Sequence, residues 1–291
     1  MSEVKDDLKR EKVRIVEISK IQDFPDHPFL VKEDESMDQL VNSIRMNGVL
    51  NPVIARRVDE EHYELISGHR RKRACILLGI DRIPLIGREM TRDEAVIEMV
   101  DSNLQREHIL PSEKARAYKM KMDAMKRQGK RTDLTSSPLE TKLRTDEIIA
   151  QESGESRNQI QRYIRLNELT PELLEFVDEG KIGMRPAVEL SYLREDEMRD
   201  LVDFIDDEGI FPSHAQAIKM KTMSKDGGLD INVIRDIMLE EKPNQKPRIK
   251  IAVEKIEKYF PSGTTQQQME DIIIRALAMY RQRQKEDRDA R

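Results

Sequence analysis

"ISGHRRKRAC" spans residues 66–75 and places four consecutive cationic side chains behind a Ser-Gly-His step. The preceding "YELI" (63–66) alternates and is β-prone, whereas "KRACILLG" (72–79) contains helix formers and ends with a glycine. The stretch therefore predicts a strand that passes into a helix with a basic start. A helix N-terminus has unpaired N–H groups and a partial positive charge, which suits an anion. A solvated basic helix face explains the same charges equally well from this stretch alone.

The flanking sequence predicts an α+β domain over residues 1–108. Residues 34–49 have apolar side chains at helical spacing, with Ser36 as the candidate N-cap. Residues 52–66 predict a β-hairpin around the polar "DEEH" turn. The remaining predicted elements are a strand at 13–19, a short strand at 83–87 and a helix from Asp93 to about Gln105.

Strand signals nearly vanish beyond this domain, so residues 109–240 predict an all-α domain. Residues 111–129 have the pattern of a basic amphipathic helix, and residues 145–166 have that of a helix-turn-helix with Gly154 in its turn. The second helix of this motif begins near Ser156 and carries polar side chains that can contact base edges. The candidate DNA contacts are Ser156, Arg157, Asn158, Gln159, Gln161, Arg162 and Arg165 on that helix, and Lys119, Lys121 and Lys126 on the basic helix.

The C-terminal sequence predicts a separate small module. Residues 241–247 have the composition of a linker, and residues 248–291 predict a small α/β unit with a β-prone start and one helix. That helix carries an apolar stripe of Ile272, Ile273, Leu277 and Tyr280. So small a unit cannot bury the stripe alone, which favours a homodimer. Docking of the stripe on the rest of the chain is the alternative.

Composition indicates a helix-rich, modular cytoplasmic protein. Charged residues make up 37% of the 291 residues and aromatic residues 4%, and the net charge is −5. The charge is uneven, because residues 101–131 carry nine Lys and Arg against four Asp and Glu. Such a basic patch fits nucleic acid despite the acidic total. We expect no membrane span, because no apolar run approaches about 20 residues, and the single cysteine, Cys75, excludes an intrachain disulfide framework.

Two motifs resemble those of ParB-type partition proteins. "SGHRRKRAC" is similar to the Gly-Glu-Arg-Arg-x-Arg-Ala box of that family, and "DSNLQREHILPSEKARAY" (101–118) is similar to its Glu-Asn-Leu-Gln-Arg box. The order of an α/β domain, a basic helix, a helix-turn-helix and a small terminal module also matches. The resemblance covers roughly residues 13–195.

The resemblance implies a DNA-binding protein that is gated by CTP with Mg²⁺ and closes into a clamp on DNA. The residues that would hold the nucleotide are Gly68, His69, Arg70, Arg71, Arg73, Asn103, Gln105 and Arg106, with Asn103 also at the metal. It further implies a homodimer on a palindromic double-stranded DNA site, a ParA-type ATPase partner, and association with the nucleoid or a plasmid.

The chain departs from the family motifs at two carboxylates. His69 stands where the box has a Glu, and Ser102 stands where a Glu precedes the family's Asn. We therefore expect nucleotide binding with at most weak CTPase activity. One alternative is a transcriptional or conjugation regulator of a mobile element that keeps the fold without hydrolysis. Another is an enzyme such as sulfiredoxin or a nuclease, although the sulfiredoxin-type cysteine is absent from Ser67-Gly68-His69.

Overall fold

The computed structural model describes residues 12–106, 109–132 and 144–240, and then 259–261, 264–265, 268–269, 272–277 and 279–281. The chain divides into two compact units, Met1–Leu239 and Glu240–Arg291. The predicted linker at 241–247 and the β-prone residues 248–253 lie outside the described residues.

A five-stranded mixed sheet forms the centre of the N-terminal region. Its strands are β1 (Val13–Glu17), β2 (Ile21–Asp23), β3 (Val53–Arg57), β4 (Tyr63–Ser67) and β5 (Arg82–Arg88). The order across the sheet is β1-β5-β3-β4-β2. The pairs β1–β5 and β3–β4 are antiparallel, whereas β3–β5 and β2–β4 are parallel. Fully buried residues such as Val53, Leu65 and Leu85 build its core.

Three helices accompany this sheet: α1 (Glu35–Asn47), α2 (His69–Leu77) and α3 (Arg92–Leu104). The N-cap of α1 is Asp34, whose side chain accepts a hydrogen bond from the Met37 N–H. Ser36 was expected there, but its hydroxyl donates to Asp34 instead. A carboxylate one residue outside the helix is the better acceptor for the free N–H groups of the first turn.

The second part of the first unit is helical. Its helices are α4 (Pro111–Thr132), α5 (Thr145–Ser153), α6 (Arg157–Arg165), α7 (Pro171–Asp178), α8 (Met184–Leu190), α9 (Glu195–Glu208), α10 (His214–Lys225) and α11 (Ile231–Leu239). The long helix α4 packs against both α3 and α6. It therefore connects the sheet-containing region to the helix-turn-helix.

The described residues confirm an α+β region followed by a helical region with a helix-turn-helix. The turn between α5 and α6 is at Gly154, which has a φ of 71°. Ser156 caps α6, because its side chain accepts from the Gln159 N–H. Within the described residues, no helix is both long and apolar enough to cross a membrane.

Candidate functional site

Gly68 sets the geometry at the start of α2. It is the N-cap of the helix and has a φ of 106°, in the left-handed region that favours glycine. A Cβ at this position would lie 2.6 Å from Cγ1 of Val53, which is fully buried in β3. Only glycine therefore lets β4 pass into α2 this close to the neighbouring strand.

A cleft of about 960 Å³ lies beside this helix start. It brings together three of the residues that the sequence predicts for an anion site, namely Arg70, Gln105 and Arg106. The other residues of the lining are Leu30, Lys32, Asp34, Ser36, Ile109, Leu110 and Glu113. The cleft thus combines three cationic side chains with an apolar wall, which suits a ligand with both anionic and flat apolar parts.

Arg70 is a cation of this cleft with unused hydrogen-bonding capacity at a buried atom. Its NH2 donates to the Ser36 hydroxyl at 2.5 Å, and the same group lies 3.6 Å from Asp34. Its Nε is buried without a hydrogen-bond partner among the described residues. A buried donor without a partner typically costs about 1–3 kcal/mol, so this N–H fits an additional acceptor. The sequence predicted Arg70 as a site residue. It did not predict that Arg70, rather than the other cations of residues 70–73, lines the cleft.

The other five residues of the predicted cradle do not line the cleft, namely Gly68, His69, Arg71, Arg73 and Asn103. Arg71 donates through NH1 to the backbone oxygens of Asn51 and Pro52, at 2.6 and 2.7 Å. Arg73 is paired with Glu33. Asn103 is 3% exposed and donates through Nδ2 to the backbone oxygen of Met99 at 2.7 Å. The four-cation run is thus divided by helical geometry, since successive residues of a helix face different directions.

Two histidine rings, tilted by 40° to each other, are in contact at the helix start. The rings of His27 and His69 are 3.7 Å apart, and the Nε2 atoms of both are buried without a partner among the described residues. His27 Nδ1 is 2.7 Å from the backbone oxygen of Phe29, so this nitrogen carries the proton and donates. Burial, with a smaller contribution from His27, lowers the pKa of His69 to about 3. His69 is therefore neutral at pH 7, and His27 is a neighbour that the sequence alone did not indicate.

Helix α6 exposes a polar face of the predicted kind. Ile160 is fully buried beneath it, whereas Asn158 and Arg162 are exposed. Neither exposed side chain has a hydrogen bond or ion pair with another described residue. Gln159 is half-buried, and its backbone N–H donates to the capping side chain of Ser156. Asn158 and Arg162 are thus the most accessible donors of this helix.

Three predicted DNA contacts on α6 have partners within the protein. Arg157 and Gln161 both donate to Asp146 of α5. Arg165 donates to the Ser191 hydroxyl and backbone oxygen and lies 4.1 Å over the ring of Tyr192. Arg165 therefore anchors α6 to the end of α8. The sequence pattern predicted which positions of α6 are apolar and buried and which are polar. It did not predict that Asp146 and Ser191 would bond to three of the polar side chains.

The three predicted lysines of α4 differ from one another. Lys121 is 1% exposed and forms ion pairs with Asp101 of α3 and Glu152 of α5. The prediction that Lys121 contacts DNA is therefore corrected, because its ammonium group is enclosed by two carboxylates. Lys119 is half exposed, 4.0 Å from a carboxylate oxygen of Glu168. Lys126 is also exposed.

The described residues do not form a preformed metal site. They contain no group of three or more His, Cys, Asp or Glu side chains that could hold a metal ion. The two carboxylates of the cleft already have roles, since Glu113 accepts from the Leu30 and Leu110 N–H groups and Asp34 caps α1. The site therefore fits an organic anion better than a metal held by protein ligands alone.

Two family models match this sequence. The ParB N-terminal domain matches residues 2–104, and the ParB HTH domain matches residues 137–218. The first match contains β1 to β5 and the cleft side chain Arg70. The second contains α5 and α6.

Relatives of known name agree with these matches. A nucleoid occlusion protein of Listeria innocua is 31% identical over 197 residues, which are 67% of this chain and 63% of that protein. The match thus covers less than two thirds of the Listeria protein. The chromosome-partitioning protein Spo0J of Thermus thermophilus is 30% identical over 203 residues, which are 69% of this chain and 68% of the relative.

Solved structures of C-terminally truncated ParB from Caulobacter crescentus are also similar. The complex with the centromeric parS site is 23% identical, covers 73% of this chain and 99% of that one, and has a TM-score of 0.42. The complex with CTP-gamma-S is 27% identical, covers 67% and 99%, and has a TM-score of 0.30.

Proposed function

Because this chain belongs to the ParB family, we propose that it is a site-specific DNA-binding protein of the partition or nucleoid-occlusion type, gated by a nucleotide. The observation that carries the DNA-binding part is the accessible polar face of α6, a capped second helix of a helix-turn-helix. In such motifs this helix enters the major groove and its first residues contact base edges. Asn158 and Arg162 are the side chains best placed for this role, with Lys119 and Lys126 as candidates for phosphate contacts.

Arg162→Ala is expected to weaken binding to the cognate site by about 1–3 kcal/mol and to leave binding to scrambled DNA nearly unchanged. The reason is that base contacts carry specificity, whereas phosphate contacts carry the non-specific affinity. Fluorescence anisotropy at several salt concentrations measures both affinities, with a cognate site first selected from a random library.

Lys126→Ala is the matched control for that experiment. Removal of one phosphate contact lowers cognate and scrambled affinity alike and reduces the slope of log K against log salt by about 0.9. If Arg162→Ala instead lowers both affinities equally, Arg162 belongs with the backbone contacts.

The cleft beside α2 is the proposed nucleotide site, with CTP as the ligand that the family resemblance favours. Arg70 and Arg106 would pair with phosphate oxygens, because a guanidinium presents several N–H donors to them. Gln105 and Lys32 supply further donors on the cleft wall. Bound Mg²⁺ would neutralise phosphate charge, held largely by phosphate oxygens and water. Asn103 could offer such an ion only its Oδ1, because its Nδ2 donates to the backbone oxygen of Met99.

Binding without efficient hydrolysis is favoured at this site. His69 is buried and neutral, and both carboxylates of the cleft are engaged by backbone N–H groups. None of these groups is placed as a free base for an attacking water. Burial also raises the pKa of the Cys75 thiol, which does not favour thiol chemistry of the sulfiredoxin kind.

A regulator without a nucleotide switch is the second candidate function, and the engaged carboxylates are the observation that favours it. Isothermal titration of the full-length protein with CTP, ATP and GTP, with and without cognate DNA, separates the two. CTP binding that changes in the presence of DNA supports a gated clamp. Cognate DNA binding with no affinity for any nucleotide supports the regulator.

The second unit is the proposed dimerisation module. Among its described residues, Ile272, Leu277 and Tyr280 are 46%, 62% and 61% exposed. An exposed apolar helix face of this kind is stabilised by burial against a second copy. Two helix-turn-helix motifs joined in this way would match a palindromic site. The charged segment before β1 is the proposed contact for a ParA-type ATPase.

Full-length protein is expected to be a dimer at micromolar concentration, and a 1–245 fragment is expected to be a folded monomer. The fragment should bind the cognate site more weakly although it retains every proposed DNA contact, because tethering raises the effective concentration of the second unit. Multi-angle light scattering gives the two masses. Monomers in both samples would remove the dimerisation role and the palindromic site that follows from it.

A further inference from the structure

Asp146 is a buried carboxylate between the two helices of the helix-turn-helix. It lies in the first turn of α5 and is 4% exposed. Its Oδ2 accepts a hydrogen bond from Nε of Arg157 at 2.7 Å and another from Nε2 of Gln161 at 3.1 Å. The two donors are four residues apart on α6 and so lie on one flank of that helix. One carboxylate therefore fixes two side chains of the proposed recognition helix.

The charge of Asp146 decides which way the Gln161 amide faces. Burial alone would raise the pKa of Asp146, but hydrogen bonds from Arg157 and Gln161 and the charge of Arg144 outweigh burial, and the pKa is lowered. An ionised carboxylate can only accept hydrogen bonds. Gln161 must therefore present its NH2 group to Asp146. Its Oε1, on an exposed residue, receives no hydrogen bond from any described residue and remains available to a ligand.

We propose that Asp146 is a positioning residue for sequence recognition and that Gln161 is the specificity-determining residue it orients. This inference rests on the proposed binding of α6 in the major groove. The Oε1 atom of Gln161 is a hydrogen-bond acceptor, so it can pair only with a donor group on a base edge. In the major groove, adenine and cytosine present amino donors, whereas guanine and thymine present acceptors. The base contacted by Gln161 is therefore adenine or cytosine.

Asp146→Ala tests the orientation directly, because Arg157 and Gln161 both donate to the same oxygen, Oδ2, and alanine removes that acceptor. Without it, the Gln161 amide is free to present either its NH2 or its Oε1 to the base. Glu147→Gln is the matched control, because Glu147 also lies in the first turn of α5 and near Arg157, at 3.9 Å, without a contact to Gln161.

The experiment is selection from a random double-stranded DNA library with the full-length protein and these variants, together with Gln161→Ala. We expect Gln161→Ala to lose preference at one base pair of each half-site, where the wild type requires adenine or cytosine. At that same position Asp146→Ala should lose the preference by at least about fivefold. Glu147→Gln should keep the wild-type preference.

The outcomes separate this inference from the proposed function. A wild-type protein that selects no sequence contradicts site-specific DNA binding itself. Selected sites that are identical for the wild type and Asp146→Ala overturn the positioning role. If Asp146→Ala proves unfolded by circular dichroism, Gln161→Ala and the similarly shaped Gln161→Leu decide the matter. Guanine or thymine at the position they affect, or no affected position, overturns the assignment.

Discussion

Combined Asp101→Asn and Glu152→Gln substitution is expected to lower the free energy of unfolding by about 3–5 kcal/mol. These two carboxylates pair with the ammonium group of Lys121, which is 1% exposed. Without them the protein must bury an uncompensated charge, because the two amides cannot neutralise it. Urea denaturation of the full-length protein, followed by far-UV circular dichroism, measures the change.

Lys121→Met is the control that identifies the cause. Methionine fills a similar volume without a charge, and the carboxylates of Asp101 and Glu152 are 45% and 50% exposed, so water can solvate them. We therefore expect Lys121→Met to destabilise the protein less than the double substitution, since uncharged replacement of a buried ion pair is often close to neutral. If Lys121→Met destabilises the protein more than the double substitution does, the uncompensated charge is not the cause of the loss.

The position of this ion cluster has a consequence beyond stability. Lys121 belongs to α4, Asp101 to α3 and Glu152 to α5, so one ammonium group joins the helix that precedes Gln105 and Arg106 to the first helix of the helix-turn-helix. A movement of α3 relative to α4 would have to break or carry along a buried charge pair. The proposed nucleotide cleft and the proposed DNA-binding helices are thus connected through the buried ammonium group of Lys121.

Elements specified by local signals were predicted well from the sequence. Gly154 lies in the turn of the helix-turn-helix and Ser156 caps α6. Both could be predicted, because a left-handed backbone conformation favours glycine and an N-cap position favours serine. The three-residue strand β2 and the helix α11 were not predicted. A strand as short as Ile21–Asp23 has too few residues for a periodic pattern and exists because β4 pairs with it.

The side-chain environments were predicted less well, because they depend on distant residues. Lys121 is on a basic helix and looked solvent-exposed, yet its partners are 20 and 31 residues away in the sequence. In the same way, Arg70 and Arg71 are adjacent and chemically identical, but one lines the cleft and the other bonds to the loop before β3. The motif supplied the residue types, and tertiary packing decided which of them reach a ligand.

Arg70→Ala is expected to weaken nucleotide binding by at least about tenfold and to leave initial binding to cognate DNA unchanged. Arg70 lines the cleft and has a buried Nε–H without a partner among the described residues. Charge-assisted hydrogen bonds from a guanidinium are worth about 1.5–3 kcal/mol each, and the Ala variant removes all of them. The proposed DNA contacts lie on α4 and α6, away from this side chain. Isothermal titration with CTP measures the first effect and anisotropy the second.

Two neighbouring arginines make this test specific. Arg73→Ala removes the same charge three residues later on α2, but Arg73 pairs with Glu33 at the surface, so we expect its nucleotide affinity to stay within about twofold of the wild type. Arg71→Ala breaks the hydrogen bonds to the Asn51 and Pro52 carbonyls, so any loss of affinity should accompany a lower melting temperature. Equal losses in Arg70→Ala and Arg73→Ala would support the wider cradle that the family motif implies. A folded Arg70→Ala protein that binds CTP as the wild type does would exclude this cleft as the nucleotide site.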